Sequence, residues 1–278
     1  MSLALLILAL AAALSLAMAL AWAVAERRAN HGWVDTIWTF AVGAAGVAGA
    51  VAPVSGEAWS FRQGLVAALI ALWSLRLGTH ILARTLGGHD DPRYVELRRE
   101  WGRTASARMF RFLQIQALAG FVLVLAVMAA ARHPLPGIGP GDVIGGLLVV
   151  VAVLGAGIAD RQLARFRAAP SNRGRVCDEG LWSMTRHPNY FFEWLGWLAY
   201  PAIAIDLTGA HPWGFVALLA PLLMYALLVH ASGIPPTEAH MLRSRGEAFR
   251  AYQRRVNAFW PGPPRHPLTN TPGGDAGT

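Results

Sequence analysis

Seven apolar stretches alternate with short polar connections along the chain, at about 3–25, 33–54, 61–83, 111–131, 141–160, 190–206 and 211–232. A helix rises about 1.5 Å per residue, so roughly 20 apolar residues cross the ~30 Å hydrocarbon core of a bilayer. Each stretch therefore predicts a membrane-crossing helix, bounded by charge or by Pro and Gly. The stretch at 190–206 is the weakest, because Glu193 lies inside it. The first could be a secretory leader, with Ala17-Met18-Ala19 as a cleavage-like triplet. No positive residue precedes it and Glu26-Arg27-Arg28 follows it, which favours a retained span.

Composition agrees with this pattern. Of 278 residues, 55% are hydrophobic and 14% charged, against about 25% charged in an ordinary soluble domain. The formal net charge is +8, the pI is near 10.9, and all 24 basic residues are Arg. The Arg lie between apolar stretches, so the basicity points to membrane topology and membrane lipids, not to a nucleic-acid partner. With Arg62 and Arg111, at the edges of their stretches, counted with the preceding connections, those after the first, third, fifth and seventh stretches hold 2, 7, 6 and 6 Arg, whereas those after the second, fourth and sixth hold only Arg62 and Arg132. Positive residues stay in the cytoplasm. The predicted fold is thus an all-α polytopic membrane helix bundle of about seven transmembrane helices, with the N-terminus outside and the C-terminus cytoplasmic. Residues 1–30 form the first helix, 31–263 the main domain, and the Pro-, Gly- and Thr-rich 264–278 a disordered tail. The single cysteine, Cys177, permits no internal disulfide, and its acidic neighbours Asp178 and Glu179 disfavour a thiolate.

Charge inside a span costs about 2.5–3.5 kcal/mol on insertion scales, so each instance points to a structural or functional reason. Asp35 opens the second stretch. Trp73, Arg76, His80 and Arg84 recur in the third at spacings of three and four, on one helical stripe. Two readings are open. Arg84 snorkels and Arg76 pairs with Asp35 as a structural bridge, or Arg76, His80 and Asp35 line a wet cavity where His80 donates a hydrogen bond to a substrate oxygen. Gly43, Gly46 and Gly49, and Gly155-Ala156-Gly157 ahead of Asp160, faintly imitate a dinucleotide fingerprint. Neither follows a strand, so close helix packing is the better account. The nine His form no paired ligand cluster, and no metal site is expected.

The connection after the fifth stretch is the densest in chemistry. It runs from Asp160 through Arg161, Arg165, Arg167, Arg173 and Arg175 to Gly180-Leu181-Trp182 and Arg186-His187-Pro188-Asn189-Tyr190, with Glu193 one turn later. Guanidinium forks suit phosphate oxygens, so the cluster fits a phosphorylated cofactor or a lipid headgroup. Pro188 predicts a helix start, which sets Asn189, Tyr190 and Glu193 in its first turns. A plain positive-inside loop with an interfacial Tyr accounts for the composition equally well.

The run from Gly180-Leu181-Trp182 through Arg186-His187-Pro188-Asn189-Tyr190 to Glu193 resembles the signature of the steroid 5α-reductase superfamily, and particularly its bacterial branch of domain of unknown function 1295. Asp35 with Trp38, the run Arg76 to His80 to Arg84, Asp90-Asp91-Pro92-Arg93-Tyr94, Asp160 with Arg167, and Ser232-Gly233-Ile234-Pro235 followed by Glu238 are similar in order and spacing, over about residues 30–263. The resemblance implies an inner-membrane reductase that takes NADPH from the cytoplasm and reduces a carbon–carbon double bond conjugated to a ketone in a lipophilic substrate. It implies Asp160, Arg167, Arg175, Arg186, His187, Asn189, Tyr190, Glu193 and Glu238 as cofactor-binding and His80, Asp35 and Arg76 as catalytic. The chain departs from the characterised steroid enzymes where these bind the ketone with a Glu and a Tyr. His80 sits where the Tyr is expected, and Asp35 stands in for the Glu. Tyr94, on a charged loop, reads as a loop-ordering residue, and a part for it or for Glu57 in the site is left open. A competing enzyme class is a membrane methyltransferase of the isoprenylcysteine carboxyl or phospholipid type using S-adenosylmethionine. It is supported by the same Arg-His-Pro-x-Tyr element, Glu238, and Gly246-Glu247 through Tyr252. A non-enzymatic lipid- or partner-binding membrane protein is the third reading.

Overall fold

A computed structural model describes residues 1–88 and 90–265 of the chain; the predicted tail falls almost wholly outside the described residues. Among these the structure is all-helical, without strands. It comprises α1 (Leu3–Arg28), α2 (Gly32–Val51), α3 (Phe61–Leu86), α4 (Pro92–Trp101), α5 (Ala105–Ala131), α6 (Pro140–Ala168), α7 (Leu181–Met184), α8 (Pro188–Trp197), α9 (Ala199–Ala204), α10 (Leu219–Tyr225) and α11 (Ile234–Arg255). A 3-10 segment, Pro212–Leu218, leads into α10, and a π turn, Ala226–Ala231, follows it. Among the described residues six helical stretches are long and apolar enough to cross a membrane: Leu3–Arg28, Gly32–Val51, Phe61–Leu86, Pro92–Ala131, Pro140–Ala168 and Pro212–Arg255. This is the architecture of a polytopic helical membrane protein. The stretch at 190–206 is helical but broken after Trp197, because Pro201 has no N–H for the Trp197 carbonyl and its ring crowds that position.

The chain divides into two compact units, each discontinuous in sequence: Met1–Val153 with Trp194–Ala226, and Leu154–Glu193 with Leu227–Thr278. In the first unit α2 packs on α3 through the glycines noted in the sequence. A Cβ at Gly43 would fall 2.1 Å from Ser74 Oγ, and one at Gly46 2.8 Å from Ile70 Cγ1. Small residues here serve close backbone approach. Helix α1 is antiparallel to α5. Trp22 Nε1 donates to the Ser106 carbonyl at 3.2 Å, and Ser15 Oγ to Gln114 Oε1 at 2.7 Å. Helix α3 starts on a capping box between Ser60 and Gln63.

The second unit folds the late turns of α6, α7 and the start of α8 together with α11 and the segment after it. Trp182 packs with Phe166 and Cys177, and its Nε1 donates to the Ala159 carbonyl at 3.0 Å. The Gly180-Leu181-Trp182 motif has a geometric cause. Gly180 adopts φ 58°, ψ −126°, and a Cβ there would meet Gln162 Nε2 at 2.4 Å, while the Leu181 N–H donates to Gln162 Oε1 at 3.0 Å. Tyr252 Oη ties α11 to this turn through the Trp182 carbonyl at 2.5 Å. Burial, with the acidic neighbours, raises the Cys177 thiol above its ordinary value, so the cysteine is an inert packing residue.

Candidate functional site

All nine residues expected on the cofactor side lie in the second unit, and all three expected catalytic residues lie in the first. In the second unit four of the nine form one scaffold. Arg186 Nε donates to Glu238 Oε1 at 2.7 Å, and its Nη1 to the Gln253 and Val256 carbonyls at 3.3 and 2.5 Å. His187 Nε2 lies 3.1 Å from the same Glu238 oxygen, and Gln253 Nε2 donates to the other at 2.7 Å. Tyr190 stacks on His187, with centroids 5.3 Å apart and planes at 7°, and its hydroxyl meets Thr237 Oγ1 at 3.2 Å. The segment after α11 fixes this turn from behind. Thr185 Oγ1 bonds the Ala258 and Phe259 carbonyls, each at 3.0 Å, and the Arg186 N–H bonds the Asn257 carbonyl at 2.9 Å.

Electrostatics assign the scaffold's protonation. Burial lowers the His187 pKa below its ordinary value, outweighing the pull of Glu238 in the other direction. A neutral His187 that faces a carboxylate through Nε2 carries its proton there and donates it. Arg186 is thus held by Glu238 and two carbonyls. That grip fixes the loop. Asn189, in the first turn of α8, accepts from the Tyr190 N–H through Oδ1 at 3.1 Å, and its amide N–H groups stay open among the described residues. Exposed Arg161, Arg165 and Arg173 add cations with no side-chain partner there, and Arg175 reaches Asn172 Oδ1 at 3.1 Å.

In the first unit Asp35 is held by Arg93 and by Tyr94, whose hydroxyl donates to Oδ1 at 2.7 Å. Gln116 Nε2 donates to the same hydroxyl at 3.2 Å, and the buried Gln116 Oε1 has no hydrogen-bond partner among the described residues. Arg93 also bonds Asp91 through Nε and Nη2, each at 2.9 Å. The 90–94 stretch, read above as a loop, therefore opens a helix. Asp91 caps α4, Pro92 takes its first position, and Tyr94 is buried. Burial acts to raise the Asp91 pKa, but hydrogen bonds and charge from Arg93 outweigh it and leave the carboxyl below its ordinary value. Arg76 is half-buried and His80 exposed, one turn apart on α3.

A family described as "Protein of unknown function (DUF1295)" matches residues 21–256. The chain belongs to the DUF1295 family. No curated protein and no solved structure matches it. In this DUF1295 chain the motif Arg186-His187-Pro188-Asn189-Tyr190 packs against Glu238, which the sequence offered only as a cofactor-binding residue. Sequence reasoning missed Gln253 and Thr237, which complete the scaffold, Gln116, which meets the Tyr94 hydroxyl, and the pairing of Arg93 with Asp35. A signal existed for Arg93. Asp-Pro followed by polar residues is a helix-start pattern, which sets Arg93 and Tyr94 in a first turn. Among the described residues no group of three or more His, Cys, Asp or Glu could hold a metal ion.

Proposed function

We propose that this DUF1295 protein is a membrane reductase that uses NADPH to reduce a carbon–carbon double bond conjugated to a ketone in a lipophilic substrate, as the steroid 5α-reductase resemblance implies. The observation that carries the reading is the scaffold of Arg186, His187, Tyr190 and Glu238, which fixes the start of α8, where Asn189 and Glu193 stand one turn apart. The second unit's groups fit a phosphorylated dinucleotide by chemistry. Asn189 offers amide donors, Glu193 and Asp160 offer acceptors for ribose or carboxamide, and Arg161, Arg165, Arg167, Arg173 and Arg175 offer cations for phosphates. When bound, NADPH supplies the hydride. In this reading His80 donates a hydrogen bond to the ketone oxygen, where negative charge gathers as the β-carbon is reduced. Asp35 acts as a positioning group for Tyr94 and Arg93, and Arg76 adds positive charge beside His80.

The Arg186–Glu238 contact also favours a second reading, the S-adenosylmethionine-dependent methyltransferase, because that class carries the same Arg-His-Pro-x-Tyr element with a later Glu. Thermal-shift and calorimetric titration of the detergent-solubilised full chain with NADPH, NADH and S-adenosylmethionine separates the two. NADPH is expected to raise the unfolding temperature, and Asn189→Ala to weaken its binding about tenfold, the worth of one lost hydrogen bond. His80→Phe is expected to abolish enone reduction and leave NADPH binding intact. A shift with S-adenosylmethionine alone replaces the reductase reading with the methyltransferase.

A further inference from the structure

We propose that the Arg-poor end of the first unit is a lipid-docking face, seated in the headgroup layer of the leaflet it meets and not turned to water. Three connections build this end: 52–60 between α2 and α3, 132–139 between α5 and α6, and 205–211 between α9 and the 3-10 segment Pro212–Leu218. Buried side chains tie them together. Arg62, at the start of α3, donates to the His133, Leu135 and Gly137 carbonyls at 3.0, 2.6 and 2.7 Å and pairs with Asp142. Arg132 reaches the Gly49 and Ala52 carbonyls and pairs with Glu57. His211 packs edge-on against His133, with centroids 5.4 Å apart.

What these ties leave outside is apolar. Leu207 is 91% exposed and Trp213 75%, and Trp59, Phe61, Leu135 and Ile138 are exposed with them. Among the described residues, the exposed positions of the three connections include only three polar side chains, and each is bonded within the chain: Ser55 to the Met1 carbonyl, Glu57 to Arg132, and Thr208 to Asp206. The backbone is turned inward too. Pro134 and Pro136 have no N–H, Arg62 takes the three carbonyls that flank them, and the Asp206 carboxylate accepts from the Thr208 and Ala210 N–H groups, each at 3.0 Å. The opposite end of the unit is the reverse. There Arg27, Arg103, Arg108 and Arg111 are exposed and have no side-chain partner among the described residues. An exposed apolar surface of this extent marks a membrane or partner contact, not a water-facing one.

Two observations select lipid as the occupant. The face continues the exposed stripes of two spanning helices, where lipid tails are the neighbours. Phe61 lies in line with Ala68, Leu72 and Leu75 on α3, and Phe215 with Leu218 and Leu222, at spacings of three, four and seven. Depth agrees. From Arg111 to Ala131 α5 rises about 30 Å, the hydrocarbon thickness, so 132–139 begins where the core ends. The headgroup layer beyond is roughly 5–8 Å deep, which matches connections this short, and irregular backbone is tolerated there but not against lipid in the core. Indoles such as Trp59 and Trp213 favour that layer. With no exposed arginine among the described residues of the three connections, the face fits a zwitterionic phospholipid.

Nanodiscs of dioleoyl phosphatidylcholine that hold one full chain test the face. Leu207→Cys and Ile138→Cys, each labelled with bimane, report its surroundings, and Ser171→Cys on the exposed turn at 170–172 gives the water-facing reference. Both probe positions are exposed, so neither substitution removes a packed side chain, and the buried Cys177 of the unaltered chain is expected to take up no label. Bimane at 207 and at 138 is expected to be quenched several-fold less by iodide than at 171. It is expected to be quenched more by a nitroxide on the lipid headgroup than by one near the end of the acyl chain. Iodide quenching equal to that at 171 overturns the proposal, because the face is then open to water. So does stronger quenching by the chain-end nitroxide, which sets the connections in the core. Discs that hold two chains are expected to give the same values. Protection from iodide that arises only there makes a second copy the occupant and overturns the lipid face.

Discussion

The two ends of the first unit use arginine in opposite ways. At one end stand Arg62 and Arg132. Arg62 gives Nε and Nη2 to Asp142 at 2.7 and 2.8 Å and its other donors to the carbonyls of His133, Leu135 and Gly137, with both partners of the ion pair about 95% buried or more. Arg132 pairs with Glu57 and reaches the Gly49 and Ala52 carbonyls. At the other end, Arg84, Arg93 and Arg98 are bound by Asp91, Asp35 and Glu26, while Arg27, Arg103, Arg108 and Arg111 remain exposed. Arginine at the sparse end is structural throughout. At the rich end it is structural only in part, and the remainder is the surplus that the orientation rule counts. A tally of charges by connection cannot separate the two populations, because a buried fork and a solvated one look alike in sequence.

The largest expected effect breaks the sparse end. Asp142→Ala leaves a buried guanidinium without its carboxylate, which typically costs about 3–5 kcal/mol. The thermal midpoint of the detergent-solubilised protein is expected to fall by many degrees, and a fall no larger than that of Arg99→Ala would remove the contrast between the ends. The next effect belongs to the rich end. Tyr94→Phe deletes a hydrogen bond to a carboxylate and leaves Gln116 without its acceptor, a loss of about 1–3 kcal/mol by the same midpoint measurement.

Acid should separate the ends without mutation. Burial, together with Arg62 and His211, lowers His133 below its ordinary 6.5. The unfolded chain therefore takes up that proton first, and the stability of the sparse end declines as the pH falls through 6.5. Asp91 at the rich end is depressed below 3.8, so its contribution is complete above that value and is lost only as the pH falls through the lower folded value. Hydrogen exchange, corrected for intrinsic rates, should show peptides around 133–142 loosening between pH 7 and 5.5 while those around 90–99 hold. Equal loosening at both would mean that His133 does not control the sparse end.

Much of this was legible in the sequence where the signal is periodic or local. The apolar windows located the long helices, because bilayer thickness dictates their length. The Arg-His-Pro-x-Tyr element marked the start of α8, because Pro188 permits a helix only from its own position. The window at 190–206 was legible as apolar but not as broken, since Pro201 acts on a carbonyl four residues back. Helix α4 escaped because its charge-rich 92–101 has no apolar period. Pairings such as Asp35 with Arg93, 58 residues apart, or Arg62 with Asp142, 80 apart, have no trace in a single sequence. They arise from helix packing.

The smallest expected effect is the one that defines the exposed population. Arg103→Gln removes a charge with no side-chain partner among the described residues, and surface changes of this kind stay within about ±0.5 kcal/mol. Its midpoint in neutral detergent is expected to match that of the unaltered chain. Repeating the measurement in anionic micelles gives the comparison its finest test, because a surplus cation has value only where the surroundings supply negative charge. There the unaltered chain should gain slightly over the variant, by no more than about 1 kcal/mol for one Arg near an anionic surface, and the gain should vanish as salt shortens the Debye length below about 8 Å. A loss in neutral detergent as large as that of Asp142→Ala would place Arg103 among the structural arginines and erase the distinction between the two ends.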